Sequence, residues 1–390
     1  MKKQRLLLIT MLGFLFVLGL DTGGFQQIIL KIAQEYELSY SQMSGLVTVK
    51  CISNFLCILV FGPISDRIGK KYILLCASGI FSGGCILAAC THTFLFTATA
   101  VIVIGMAFGI CEGLSSAVLA DAFPDQRERM LNLSQGLFSA GAVSGPLLVT
   151  AVMRGAGVDW RREFLILAVL MAVLFVLLVV VPVPGYVQAA EKALQKEKEK
   201  KAFGGIPVKM IGVLFCAMLL YSGMENGLGY FIDTFFVHQY DAAQLSTFAL
   251  SGMWLAMFLS RLICASSKGK HECVVLWSLT ILIFLSIGLI LAKASMSAML
   301  ICVLFGAAFG PVWPMLISFS VREAPAYSGT ITSWMAAGSS IGASVFPLLM
   351  GSAADLLGDI RYAAGVLLAL AISAVVVFGF YLAKRENVRI

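Results

Sequence analysis

Twelve stretches of this chain are almost wholly apolar and long enough to leave few choices of fold: residues 6–30, 42–63, 72–91, 95–121, 131–153, 164–184, 207–236, 246–266, 273–292, 297–320, 328–352 and 361–383. A helix needs about 20 such residues to cross roughly 30 Å of hydrocarbon. The chain therefore reads as an all-α polytopic membrane protein with twelve transmembrane helices. Composition agrees: 59% of residues are hydrophobic, mean hydropathy is +0.93 and 13% are charged, against about 25% in an ordinary soluble domain. The opening MKKQR and the apolar run after it look like a signal peptide. No small-residue cleavage site follows, and eleven further spans need an anchor, so the run is expected to be the first helix.

Placing the N-terminus inside puts 21 of the 28 basic residues in cytoplasmic segments. Lys31, Arg154, Arg161, Arg162, Lys293 and Arg361 then fall outside, and Lys50 falls within a helix. This asymmetry follows the positive-inside rule. It predicts a multi-pass protein of the cell (inner or plasma) membrane with both termini cytoplasmic. It also accounts for the net charge of +7 without a nucleic-acid partner. None of the ten cysteines forms a C-x-x-C pair; they read as small apolar packers. Metal-ligand spacings and phosphate-cradling loops are missing, so no metal and no cofactor is expected.

The longest polar segment, VQAAEKALQKEKEKKAFGG at Val187–Gly205, divides the spans six and six. Its mixed charges read as a solvated cytoplasmic linker. The expected organisation is a six-helix bundle over 1–186, a linker over 187–206 and a second six-helix bundle over 207–390. The halves are related. A shift of 201 residues lays Gly105, Ala107, Phe108 and Gly109 on Gly306, Ala308, Phe309 and Gly310, and Gly141, Ala142, Pro146, Leu147 and Leu148 on Gly342, Ala343, Pro347, Leu348 and Leu349. A shift of 204 lays GLDTG at Gly19–Gly23 on GMENG at Gly223–Gly227. Two parallel, pseudo-symmetric repeats suggest a transporter with its site at midplane. Asp21 thereby gains a counterpart in Glu225. The glycines around both allow either close backbone approach or a local break in the helix, and helix seven looks especially easy to bend.

Between helices two and three runs GPISDRIGKK, Gly62–Lys71. It resembles the G-x-x-x-D-R-x-G-[RK]-[RK] loop of the major facilitator superfamily. The resemblance extends over the chain through the twelve spans, the central loop and the repeat. It implies that Gly62, Asp66, Arg67, Gly69, Lys70 and Lys71 form a gating motif in which Asp66 latches the halves on the cytoplasmic side. The alternative is a positive-inside turn that only sets topology. The second half keeps a degenerate version without an acid, SSKGK at Ser266–Lys270. Within the superfamily GICEGLSSA, NLSQGLFSAGAVSGPLL, YSGMENGLGYF, GMWLAMFLSR and FGPVWPML look like the fucose/hexose–proton symporter group. The helix-four arginine common among drug–proton antiporters is missing, because Met106 follows Gly105. Gly141-x-x-x-Gly145-Pro146 partly resembles an antiporter signature, and equally reads as small-residue helix packing.

Four ionisable residues sit well inside spans: Asp21, Lys50, Glu112 and Glu225. A charge at mid-membrane costs at least about 2.5 kcal/mol and marks a function by default. The family resemblance implies proton coupling at Asp21 and Glu112, and makes Glu225 a substrate ligand or a further proton carrier. Lys50 departs from the pattern. It can hold helices one and two together through Asp21, or attract an anionic substrate. Gln26, Gln135, Asn226, Trp254, Trp313 and Trp334 are the polar and aromatic candidates for substrate contact, and the 201 shift lays Trp313 on Glu112. Trp160 reads as an interfacial belt residue and Trp277 as packing or lipid-facing. Asp121, Asp233, Arg261 and Glu323 read as solvated or gate-side charges at helix ends.

These features lead to the expectation of a monomeric secondary transporter, a proton-coupled symporter of a small polar solute, sugar-like or a small carboxylate, working by alternating access. Its partners would be that solute, protons and the bilayer. Proton-driven export of a small solute or drug is the alternative. An intramembrane enzyme is the rival of another class: Gly338-Ser339-Ser340-Ile341-Gly342 fits G-x-S-x-G, but that string needs a strand–turn–helix setting and a His partner. His92, His238 and His271 all fall in loops or at helix ends.

Overall fold

The computed structural model describes residues 2–123, 127–153, 159–183, 208–266, 271–324 and 328–389. The 187–206 linker and residues 267–270 of the degenerate loop lie outside them. The elements are α1 (Lys2–Glu35), α2 (Tyr40–Ile68), α3 (Lys70–Cys90), α4 (Phe94–Ala122), α5 (Arg127–Met153), α6 (Arg161–Val180), α7 (Val208–His238), α8 (Ala243–Ser266), α9 (His271–Leu291), α10a (Ser295–Phe309), α10b (Val312–Glu323), α11 (Ser328–Leu357) and α12 (Arg361–Arg389). Among the described residues twelve spans are long and apolar enough to cross a membrane, with α10a and α10b forming one of them. Among the described residues there is no strand. The expected all-α, twelve-span architecture holds. Large apolar side chains such as Trp277, Phe284 and Ile263 stand exposed, as spans facing lipid require.

The described residues fall into two compact units, Met1–Ile28 with Val49–Phe203, and Ile29–Thr48 with Gly204–Ile390. In the first, α1 and α5 touch backbone to backbone. A Cβ on Gly19 would strike the Phe138 carbonyl, one on Gly23 the Ala142 carbonyl, and one on Gly141 the Phe16 carbonyl. The glycines of GLDTG thus serve close approach. α1 and α7 both run unbroken through their glycines, so neither takes the local break those glycines would allow.

The second unit repeats the contact between α7 and α11: a Cβ on Gly342 would strike the Leu219 carbonyl and crowd the Gly223 nitrogen, as one on Gly141 meets Phe16 and Leu20. This fixes the register of α1 on α7 at a shift of 203. The crossings of α4 on α2 and of α10a on α8 give the same value for α2, since Gly105 abuts the Lys50 carbonyl and Gly306 the Met253 carbonyl. For α3 and α9 the shift is 201, which matches the buried Leu74, Ala77, Ser78, Phe81, Cys85 and Ala88 to Val275, Ser278, Leu279, Leu282, Ser286 and Leu289. For α6 and α12 it is 200, matching Glu163, Phe164, Leu167, Met171, Leu174 and Leu178 to the buried Ala363, Ala364, Leu367, Ala371, Ala374 and Phe378. The 204 shift expected for the GLDTG segment is therefore one residue out. Asp21 matches Met224, and Glu225 matches Thr22. One residue is about 100° around a helix, so the two acids do not hold equivalent positions.

The units differ in their fourth spans. α4 is continuous, whereas its counterpart breaks between α10a and α10b at Gly310-Pro311. Pro311 and Pro314 lack the N–H groups that would bond the carbonyls of Ala307 and Gly310. Polar contacts tie the helix ends. Lys70 at the start of α3 pairs with Asp121 near the end of α4. Lys71 donates to the carbonyls of Val179 and Val181 at 2.9 and 2.7 Å, where a cation favours a helix C-terminus. In the second unit Glu272 on α9 pairs with Arg322 on α10b at 2.8 Å and with Arg385 on α12.

Candidate functional site

Among the described residues, each unit holds a buried carboxylate paired with a cation on a neighbouring helix. In the first, Asp21 is 0% and Lys50 7% exposed. Lys50 Nζ donates to Asp21 Oδ2 at 2.8 Å. The ammonium lies 4.0 Å from the centre of the Phe25 ring and 5.9 Å from that of Phe108, so aromatic faces replace part of its lost hydration. The pair that Lys50 could form between helices one and two is present. Oδ1 of Asp21 has no hydrogen-bond partner.

Glu163, the third residue of α6, borders the pair. It is 4% exposed, and its Oε1 rests so close to the α1 backbone that a Cβ on Gly24 would overlap it. It lies within electrostatic reach of both Asp21 and Lys50. Sequence reasoning missed it because the sixth apolar run was begun at residue 164, one position late; the signal was the acid in WRREF. The helix starts at Arg161 and turns Glu163 inward. Trp160 is likewise interior, not a belt residue: it is 3% exposed and packs edge-on against Phe164, with the ring centres 5.9 Å apart. The Arg161 guanidinium covers its ring at 4.3 Å, and Arg161 Nε donates to the Thr91 carbonyl at 2.6 Å.

Glu112 is half-buried on α4, with no ion pair or hydrogen bond among the described residues. Gln135 on α5 is also half-buried, whereas Gln26 is interior at 1% exposure.

In the second unit Glu225 on α7 is 9% exposed, and Arg261 Nη2 on α8 stands 3.7 Å from its Oε1. Arg261 Nε donates to the Gly310 carbonyl at 3.2 Å, the acceptor left open because Pro314 has no N–H to offer it. Arg261 thus joins the break in α10 to the buried acid. Of the two readings of Arg261, solvated or gate-side, this sets aside the solvated one. α8 continues to Ser266, so Arg261 lies within the helix and its long stem reaches inward. Asp233 is also corrected: it is buried within α7. Asp121 and Glu323 do lie near helix ends, where Asp121 meets Lys70, and Glu323 accepts from the Tyr381 hydroxyl at 2.9 Å.

Asn226 Nδ2 donates to the Ser222 carbonyl at 3.0 Å and reaches Ser222 Oγ at 3.3 Å. Ser222 Oγ in turn lies 2.9 Å from Ser339 Oγ. Trp254 is buried and Trp313 half-buried. Trp334 is exposed and lines a hollow of about 220 Å³ with Val208, Gly212, Phe215 and Ala337. Val208, Gly212, Phe215 and Ala337 offer a polar solute no side-chain hydrogen bond, and the Trp334 indole N–H is the donor among these walls. In the loop motif Gly69 has φ +110°, a conformation that favours glycine, and Lys70 and Lys71 are tied as described above. Of Gly62, Asp66 and Arg67 only the helical backbone is described, so the latch expected of Asp66 lies outside the described side chains. Ser340 of the G-x-S-x-G string donates to the Ala336 carbonyl at 3.1 Å inside α11, which is not a strand–turn–helix setting.

Twelve spanning helices in two related bundles, with buried ion pairs inside, define a polytopic transporter of the repeat-built class. The family model described as Major Facilitator Superfamily matches residues 11–347, and the chain belongs to that superfamily. It is a multi-pass membrane protein. It is 29% identical over 166 residues to a D-xylose transporter of Levilactobacillus brevis, covering 42% of this chain and 35% of that one. It is 26% identical over 229 residues to the putative niacin/nicotinamide transporter NiaP of Bacillus subtilis (strain 168), covering 57% and 56%. It is 28% identical over 226 residues to the thioclapurine efflux transporter tcpA of Claviceps purpurea (strain 20.1), covering 56% and 40%. The matches thus span from about a third to just over half of those relatives. Among solved structures the fold is similar to the nucleoside transporter NupG, at TM-score 0.79, 15% identity and coverage of 98% of this chain and 99% of that one. It is equally similar to a bacterial homolog of the human lysosomal transporter Spinster in an inward-facing, unoccupied conformation, at TM-score 0.79, 14% identity and coverage of 99% and 98%.

Proposed function

We propose that this transporter couples the movement of a small polar solute, sugar-like or a small carboxylate, to the proton gradient, as a symporter working by alternating access. The observation that carries the reading is Glu112: a half-buried carboxyl in an apolar span with no ion pair among the described residues. A carboxyl in such a place can load and unload a proton near neutral pH. Asp21 and Glu225 are the further proton-handling groups, each beside a cation that can take its charge. Gln135, Asn226 and Trp313 are the proposed solute contacts nearest to exposure. Gln26, Trp254 and Lys50, all buried, are the other proposed contacts. The relatives named for D-xylose and for niacin or nicotinamide support a small solute. The basic asymmetry of the sequence supports the cell membrane with both termini cytoplasmic.

The test is uptake into proteoliposomes under an imposed pH gradient, for a panel of sugars, small carboxylates and lipophilic cations. Uptake of one class, stopped by collapsing the gradient and lost in Glu112→Gln, is the expected result. Gradient-driven uptake that survives in both Glu112→Gln and Asp21→Asn refutes the coupling assignment. Export is the second reading, favoured by the efflux relative; it predicts proton-driven loss of solute from loaded vesicles and no uptake.

A further inference from the structure

The second unit is an internal control for the first. The register shifts place Asp21 on Met224, Lys50 on Met253 and Glu163 on Ala363, all three buried at 0% exposure. The same architecture therefore closes with two methionines and an alanine where the first unit holds two carboxyls and an ammonium. Packing does not require these charges, and burying charge is expensive unless it is paired and hydrogen-bonded. A buried charge the fold can do without is retained for another use.

The place is also short of a positive charge and a donor. It holds two carboxyls against one ammonium. Asp21 Oδ1 and Glu163 Oε2 are both buried without a hydrogen-bond donor. α3 contributes Cys85, a buried thiol within electrostatic reach of all three charged groups. α5 presents the Ala142 backbone, Gly145 and Pro146 to this part of α1. On α6 itself, Arg161 is committed to the Thr91 carbonyl and Asp159, and Arg162 is exposed. One proton supplies both deficits: it neutralises one carboxyl and turns it into a donor.

We propose that Glu163 is a proton-binding site of the first unit, sharing one exchangeable proton with Asp21 over the single counter-charge of Lys50. With the proton on Glu163, Lys50 balances Asp21, in keeping with their 2.8 Å pair. When that proton leaves, Lys50 alone faces two carboxylates. The use of this proton in transport rests on the proton-coupled reading above; its existence does not, and the experiment measures the proton without transport.

The experiment is infrared titration of the protein in lipid nanodiscs from acid to alkaline pH, following the C=O band of protonated carboxyls. It is run in sodium and in choline buffers on wild type, Glu163→Gln, Asp21→Asn and Lys50→Met. The expected result is the loss of one carboxyl's band in Glu163→Gln. The same loss is expected in Asp21→Asn, because Lys50 then balances Glu163 and the shared proton is released. Lys50→Met gains a second band. Three results overturn the proposal: a spectrum unchanged by Glu163→Gln, a Glu163 band indifferent to Asp21→Asn, or a wild-type band that sodium removes at constant pH. The last would put a metal cation in the proton's place, and it needs no variant. If gradient-driven uptake fails while these spectra behave as expected, the coupling reading falls and the shared proton stands.

Discussion

Removing the two acids beside Lys50, Asp21 and Glu163, while leaving Lys50 should harm the protein more than removing all three charges. Asp21→Met with Glu163→Ala strands the ammonium, whose side chain is 9% exposed. At 2.8 Å from Asp21 Oδ2, the attraction lost is about 6 kcal/mol at an effective dielectric near 20. Partial relaxation brings the cost of stranding one partner of a buried pair to about 3–5 kcal/mol. Adding Lys50→Met removes the stranded charge and reproduces the apolar set of the second unit, and such replacements are often neutral or stabilising. Any void left by Glu163→Ala is common to both variants and cancels. At roughly 2–4 °C per kcal/mol for a unit of this size, the triple variant should unfold about 6–20 °C above the double. Tryptophan fluorescence during heating at one fixed scan rate reads the difference. If adding Lys50→Met leaves the apparent Tm unchanged or lowers it, the charges are part of what closes the bundle, and the comparison between units has been misread.

Gly19→Ala should abolish folded protein or lower its apparent Tm sharply, because the new methyl meets the backbone carbonyl of Phe138, whereas Gly45→Ala, with open space around it, should be silent; size-exclusion yield and thermal scans compare them. Asp355→Ala removes the carboxylate that accepts from the Tyr40 and Ser41 amides at 2.8 and 2.7 Å at the start of α2. Hydrogen bonds to a charged group contribute about 1.5–3 kcal/mol, so amide exchange at these two residues should quicken by roughly 10- to 150-fold, as hydrogen-exchange mass spectrometry would record.

Much of the fold was legible because lipid imposes a coarse rule. Length and apolarity alone locate the spans, and the ordered matches at a shift of 201, on α4 with α10a and α5 with α11, share the value found for α3 and α9. The rest failed for local reasons. Glycine identity drew GLDTG onto GMENG one residue out, because the α1–α5 and α7–α11 crossings are keyed by Leu20 and Gly223 as well as by the glycines around the acids. Glu163 follows two arginines at a helix start and read as part of a polar loop; only the first turn of α6 shows that it faces inward. Arg261 read as a solvated or gate-side charge because its reach to Glu225 is a property of the side chain and of α8, not of spacing. The break in α10 was written in Pro311 and Pro314, whose missing N–H groups open the carbonyl that Arg261 fills.

The helix-end pairs are reversed in sign between the units. Lys70 opens α3 and Asp121 lies near the end of α4, whereas Glu272 opens α9 and Arg322 lies near the end of α10b. A chain built from two copies of one bundle risks threading a helix of one copy into the other while it folds. Such an exchange would set Lys70 beside Arg322 and Asp121 beside Glu272, like against like. The reversal works as a proofreading mark that rejects the wrong sibling helix at its tip.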